Sequence, residues 1–166
     1  MSRLKLLILD ANVVIHLHEL GIWSKLIGIC DVHLPRTVVS EVSDYEADGE
    51  KCYIDIEPDV AEQRVHVFDV ALSDIKAFRD QFDPLYVEGL DPGECEALAY
   101  LCKSAQDFLI SSGDAIVYRV LGRLNRSDQG SVRPGQVVRV EAQRDHDRAG
   151  RSPGALAVPA YVSWVR

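Results

Sequence analysis

Leu4 to Leu9 is apolar at every position except Lys5, and the run stops at Asp10. Such a run suits a strand buried on both faces, as in a parallel sheet. Asp10-Ala11-Asn12 then turns the chain, and Val13 to Ile29 reads as one helix with Ile15, Leu20, Trp23, Leu26 and Ile27 near one face. Val32-His33-Leu34-Pro35 is a second strand, and Thr37 to Val42 reads as helical despite its β-branched residues. Val65 to Phe68 is a third strand and Ser73 to Phe82 a helix for which Ser73 is the expected cap. Glu94 to Ala105 reads as helix, Phe108-Leu109-Ile110 as a fourth strand, and Ala115 to Leu121 as the start of a last helix. Strands alternating with helices predict a three-layer α/β/α sandwich around a mostly parallel sheet.

At 166 residues the chain is long enough for one domain with its own core. Its 47% hydrophobic and 27% charged residues fit a globule, and no apolar run approaches the ~18 residues of a membrane helix. Met1-Ser2-Arg3-Leu4-Lys5 is followed by no cleavage site of small residues, so a cytoplasmic protein without a signal peptide is expected. Cys30, Cys52, Cys95 and Cys102 show no CxxC spacing, which favours reduced thiols over a disulfide scaffold or a zinc site. The character changes at Arg126, beyond which Gly and Pro recur and Lys is absent. The expected division is a domain over 1–125 and an accessory or poorly ordered Arg/Gly/Pro-containing tail over 126–166.

The net charge of −8 is uneven. The tail holds seven arginines and four acids, so residues 1–125 carry −11. A surface this acidic opposes a polyanion unless something neutralises it locally, and a divalent metal does so most directly. Nine acids and one base, Lys51, fall between Glu41 and Glu62, and most of that run reads as a solvated face or loop.

Asp10 ends the first buried strand, and Asp114 follows the fourth after Ser111-Ser112-Gly113. A carboxylate there is costly unless paired, hydrogen-bonded or metal-bound. Each also suits the N-cap of the helix that follows. The two together point to a shared site, because ligands of open α/β sheets bind beyond the carboxyl ends of the strands where strand order reverses. Glu94 and Glu96 open one helix roughly 200° apart, so one faces a site and the other faces solvent or supports the helix dipole.

Leu9-Asp10-Ala11-Asn12, Val39-Ser40-Glu41-Val42, Gly93-Glu94-Cys95-Glu96-Ala97-Leu98-Ala99 and the serine-rich turn ending in Asp114 resemble, in order, the four acidic motifs of the PIN domain. The resemblance runs from about residue 4 to 124. It leaves the segment from Ala47 to Asp91 and the tail without a motif. It implies a small α/β/α fold and a metal-dependent endoribonuclease directed at single-stranded RNA, often the toxin of a toxin–antitoxin pair. By position, Asp10, Glu41, Glu94 and Asp114 would be catalytic and metal-binding, with Asn12, Ser112 and Glu96 in support. The resemblance favours Glu94 over Glu96 because Glu94 directly follows Gly93. An antitoxin protein and a homodimer are further expectations of the family. The alternative is a catalytically inactive PIN-like module that binds RNA or protein.

Carboxylate oxygens select hard cations such as Mg²⁺ or Mn²⁺, which retain several waters. Ions held by three or four acids activate water and polarise a phosphodiester; in two-metal sites the ions stand roughly 3.5–4 Å apart. The expected reaction is in-line hydrolysis without a covalent enzyme intermediate. Other constellations carry less. His16 and His18 lack the i, i+4 spacing of helical metal ligands. His146 sits in a polar cluster with Asp145 and Asp147. Asp10-Ala11-Asn12 has no acid at position 12, as an aspartyl phosphatase would need. Arg36, Lys103 and Arg119 are the bases nearest the motif acids, and ordinary surface charge suits each.

Overall fold

The computed structural model describes residues 4–130. Four parallel strands form its main sheet: β1 (Leu4–Ile8), β2 (Cys30–Pro35), β5 (Val65–Phe68) and β6 (Leu109–Ser111), in the spatial order β5-β2-β1-β6. Leu6 is paired with both Val32 and Leu109, and Val32 in turn with Val65. The sequence-derived strands lie within a residue or two of these bounds.

Period-2 alternation along β1 divides its side chains between two cores. Leu6 and Ile8 join one with Val14 and Leu17 of α1 (Ala11–Glu19), Trp23, Leu26 and Ile27 of α2 (Trp23–Ile29), and Val38 of α3 (Arg36–Glu41). Leu7 and Leu9 join the other with Phe78 of α5 (Leu72–Arg79) and Val87 of α6 (Pro84–Val87). Leu98 and Leu101 of α7 (Pro92–Lys103) and Val117, Val120 and Leu121 of α8 (Ala115–Arg123) complete that second core. Leu6 through Leu9 are fully buried, as a strand between two helical layers requires. The fold is an α/β sandwich. The chain builds outward from β1 through β2 to β5, then returns to the far side of β1 to lay down β6. Strand order therefore reverses between β1 and β6.

Several local expectations are corrected. The single helix over Val13–Ile29 is two helices, because Gly21 takes a left-handed φ of +65° and ends α1. The Gly21 and Ile22 N–H groups bond back to the His18 and Leu17 carbonyls, a Schellman closure. Ser73 caps nothing: the N-cap of α5 is Ala71, without a side-chain bond. The acidic run is not all loop. It holds a hairpin of β3 (Asp44–Ala47) and β4 (Glu50–Tyr53), turned at Asp48 (φ +52°) and Gly49 (φ +79°). Two successive positive φ values are the type I′ geometry that Asp-Gly favours. In α4 (Glu57–Ala61), Asp59 is buried, accepts the Trp23 indole N–H at 2.7 Å and pairs with Arg64 at 2.9 Å.

None of the four cysteines is in a disulfide, and Cys30 and Cys95 are buried. His16 bonds Glu19 at 2.7 Å, and His18 stacks on Trp23 with ring centres 4.9 Å apart, which are packing and surface roles. No helix among the described residues is long and apolar enough to cross a membrane. Of the expected tail, residues 126–130 include a 3-10 turn at Ser127–Gln129, and 131–166, with His146, lie outside the described residues.

Candidate functional site

Three of the acids singled out in the sequence begin a helix at a carboxyl end of the sheet or beside it. Asp10 is the N-cap of α1, and its Oδ1 accepts the Asn12 N–H at 2.8 Å. Asp114 is the N-cap of α8, with its Oδ1 accepting the Ile116 N–H at 3.1 Å. Glu94 is the third helical residue of α7 and closes a reciprocal capping box with Asp91. Asp91 Oδ1 accepts the Glu94 N–H at 2.7 Å, and Glu94 Oε2 accepts the Asp91 N–H at 3.2 Å. Glu41 is the last helical residue of α3 and is exposed.

Two glycines set how closely these ends approach. A Cβ on Gly93 would stand 3.1 Å from Val38 Cγ2 and 3.5 Å from the Leu9 carbonyl oxygen, so α7 starts directly beside α3 and the end of β1. A Cβ on Gly113 would stand 2.8 Å from Asp10 Oδ2. The Asp10 carboxylate therefore occupies space beside the turn that leads into Asp114. Ser112 ties Glu94 to the same turn: its hydroxyl donates to Glu94 Oε1 at 3.0 Å and accepts the Asp114 N–H at 3.0 Å. Tyr118 steadies the turn by donating its hydroxyl to the Ser112 carbonyl at 2.9 Å.

The electrostatics follow from burial first and from like charges set close together second. Glu94, 2% exposed, has its carboxyl pushed up to about 7. Burial is the main cause and repulsion from Asp91 and Asp114 adds to it, while the Asp91 N–H and the Ser112 hydroxyl pull the other way. Glu41 is also raised, first by partial desolvation of its carboxyl and then by the charges of Asp91 and Asp10. Asp10, Glu41, Asp91, Glu94 and Asp114 thus share one electrostatic neighbourhood. No lysine or arginine among the described residues forms an ion pair with any of them. Arg36 is held by Asp69 at 2.9 Å and Lys103 by Asp74 at 2.7 Å.

Not every candidate belongs to this group. Glu96 is buried rather than solvent-facing, and its Oε2 accepts the Thr37 hydroxyl, tying α7 to α3. Asn12 enters through its backbone N–H, the donor that Asp10 caps. Asp91 was not singled out in the sequence, although Asp91-Pro92-Gly93-Glu94 carries the signal of a capping box with Pro at the first helical position.

As a donor set, five carboxylates without a base suit a hard divalent cation. The absence of a side chain at Gly113 lets the Asp10 carboxylate lie against the turn. Yet among the described residues no three His, Cys, Asp or Glu side chains are gathered closely enough to hold a metal ion as they stand. Asp10 and Asp114 each spend one oxygen on a helix cap, and Glu94 has both engaged. The second oxygens of Asp10 and Asp114, together with Glu41, are the acceptors these caps leave over. No protein-family model matches the chain, and neither does any curated protein.

Proposed function

We propose that this chain is a PIN-type, Mg²⁺- or Mn²⁺-dependent endoribonuclease that hydrolyses single-stranded RNA in the cytoplasm, the toxin of a toxin–antitoxin pair. The observation that carries the reading is the approach of Asp10, Glu94 and the Asp114 turn at the point where strand order reverses, with no lysine or arginine among the described residues paired to them. Asp10, Glu41, Glu94 and Asp114 would hold the ion. When bound, it supplies charge neutralisation and activation of water for in-line attack on a phosphodiester.

The chain's own residues do the rest. The helix caps fix Asp10 and Asp114 by their backbone bonds, leaving one oxygen of each available. Ser112 orients Glu94 and keeps the turn closed. A cation held there would favour the ionised form of Glu94, whose carboxyl burial and neighbouring acids raise, so loading would be linked to proton release. The partners of this reading are an RNA substrate, an antitoxin protein and a second copy of the chain.

Asp10→Asn and Asp114→Asn test it, because Asn caps a helix about as well as Asp while removing the charge. Wild type with millimolar Mn²⁺ is expected to melt higher and to cleave single-stranded RNA, and both variants to fold and lose the cleavage. Unchanged cleavage by either variant would overturn the assignment. The dispersed arrangement of the acids favours a second reading, an inactive PIN-like binding module. That reading wins if Mn²⁺ neither raises the melting temperature nor supports cleavage.

A further inference from the structure

His33 of β2 and His66 of β5 are direct register partners on neighbouring parallel strands. Paired residues of a parallel ladder project to the same face, here the face of Leu7, which pairs with His33 from the other side. The two imidazole rings stand 4.7 Å apart between centres and tilt by 35°. Phe108 meets the His33 ring edge-on at 4.9 Å, and Tyr100 lies 6.4 Å away, so the inner ring is set from behind. The outer ring is open: His66 is exposed, and β5 is an edge strand. Neither ring shares a hydrogen bond with another described side chain, so the ring nitrogens remain for solvent or a ligand.

An aromatic cross-strand pair accounts for the contact between the rings, but two imidazoles bring something a phenyl pair lacks, namely nitrogen lone pairs. Burial, then the neighbouring His66 and Lys5, holds His33 down to about 4 against the pull of Asp31, so it is neutral and able to donate near pH 7. Imidazole nitrogen suits Zn²⁺, Ni²⁺ and Cu²⁺, whereas Mg²⁺ and Mn²⁺ prefer oxygen. With ring centres 4.7 Å apart, the two imidazoles are close enough for one nitrogen of each, at metal–nitrogen bonds of ~2.0–2.1 Å, to share an ion after rotation of the exposed His66, water completing the shell. His33 aligns with a residue three positions before Asp10, roughly 10 Å along the strand, so the pair is distinct from the carboxylates.

We propose that His33 and His66 form a two-imidazole site for a late first-row divalent cation, one that fastens the edge strand β5 to β2. The test uses the full-length chain without a histidine tag, with Zn²⁺ and Ni²⁺ followed by equilibrium dialysis and thermal denaturation. Wild type binds and its melting temperature rises. His66→Ala weakens binding at least about tenfold, the lower bound for losing even a residue that only supports a ligand. His66→Phe keeps a ring against His33 but removes the donor, and it weakens binding equally. Asp10→Asn retains binding, which separates the pair from the acidic site. The proposal fails if wild type takes up neither ion at millimolar concentration, or if His66→Ala and His66→Phe bind as wild type does.

Discussion

Ser112 holds Glu94: its hydroxyl donates to Oε1 at 3.0 Å, and the same oxygen accepts the Asp114 N–H, so one small side chain couples the end of β6 to the start of α7. The bond favours the ionised form of a carboxyl that burial and its neighbours push toward neutrality. Ser112→Ala is therefore expected to cost about 1.5–3 kcal/mol where Glu94 is ionised, the range for a hydrogen bond to a charged group. The loss should be larger on the alkaline side of about 7 than on the acid side of 4.5, as urea unfolding at the two pH values would measure.

Gly113→Ala separates the site from the fold. The added Cβ would meet only the far end of the Asp10 side chain, at 2.8 Å, which can rotate away. The variant should fold, losing no more than the ~1 kcal/mol that the Asp10 cap on α1 contributes, yet lose the Mn²⁺ response and RNA cleavage. Gly122→Ala is the control: its Cβ would find nothing nearer than Ser127 Oγ at 3.6 Å, and helix propensity predicts a gain of ~0.5–1 kcal/mol with activity retained.

Glu94 makes stability depend on pH. Its folded-state carboxyl is raised from 4.5 to about 7, so the native chain binds more protons across that interval and loses stability as pH rises through it. The linkage amounts to roughly 3 kcal/mol for a fully retained shift. His33 acts in the opposite sense. It is lowered from 6.5 to about 4, so acidification through that window destabilises the native state. Wild type should show a shallow profile between these limits, whereas Glu94→Gln should gain stability steadily from pH 4 to 6.5. A Glu94→Gln curve parallel to wild type would contradict this account.

Glu96 and Glu94 lie two residues apart and should respond differently. Glu96 bonds Thr37 across the α3–α7 contact. Glu96→Ala leaves the half-buried Thr37 hydroxyl without its acceptor and should cost about 1 kcal/mol. Cleavage per folded molecule should persist, since that carboxylate is committed to Thr37. Glu94→Ala should lose cleavage as well, and paired denaturation and activity assays distinguish the two.

Strands β1 and β6 were legible because burial on both faces leaves apolar runs in a single sequence, and β2 and β5 because their apolar residues alternate with histidine. Leu4 to Leu9 and Phe108 to Ile110 have no other economical reading. Asp10 and Asp114 were legible for a related reason, each being a charge where hydrophobicity stops. The breaks were harder to read. Gly21 sits inside an otherwise continuous helical pattern, and the sign of its φ is not a property of composition. In the acidic run, the density of charge outweighed the Asp48-Gly49 turn signal, and the burial of Asp59 depends on Trp23, 36 residues away. Asp91 was hidden for the opposite reason: its capping role is local and was readable, but its closeness to Glu41 arises only when α7 packs beside α3.

The order of strands also has a bearing on synthesis. The pairing of β1 with β6 unites residues made near the start with residues made more than a hundred positions later. A nascent fragment that stops short of Leu109 already carries Asp10, Glu41, Asp91 and Glu94, and lacks Ser112 and Asp114. The acidic group is completed in one late step, when the final strand is laid down beside the first.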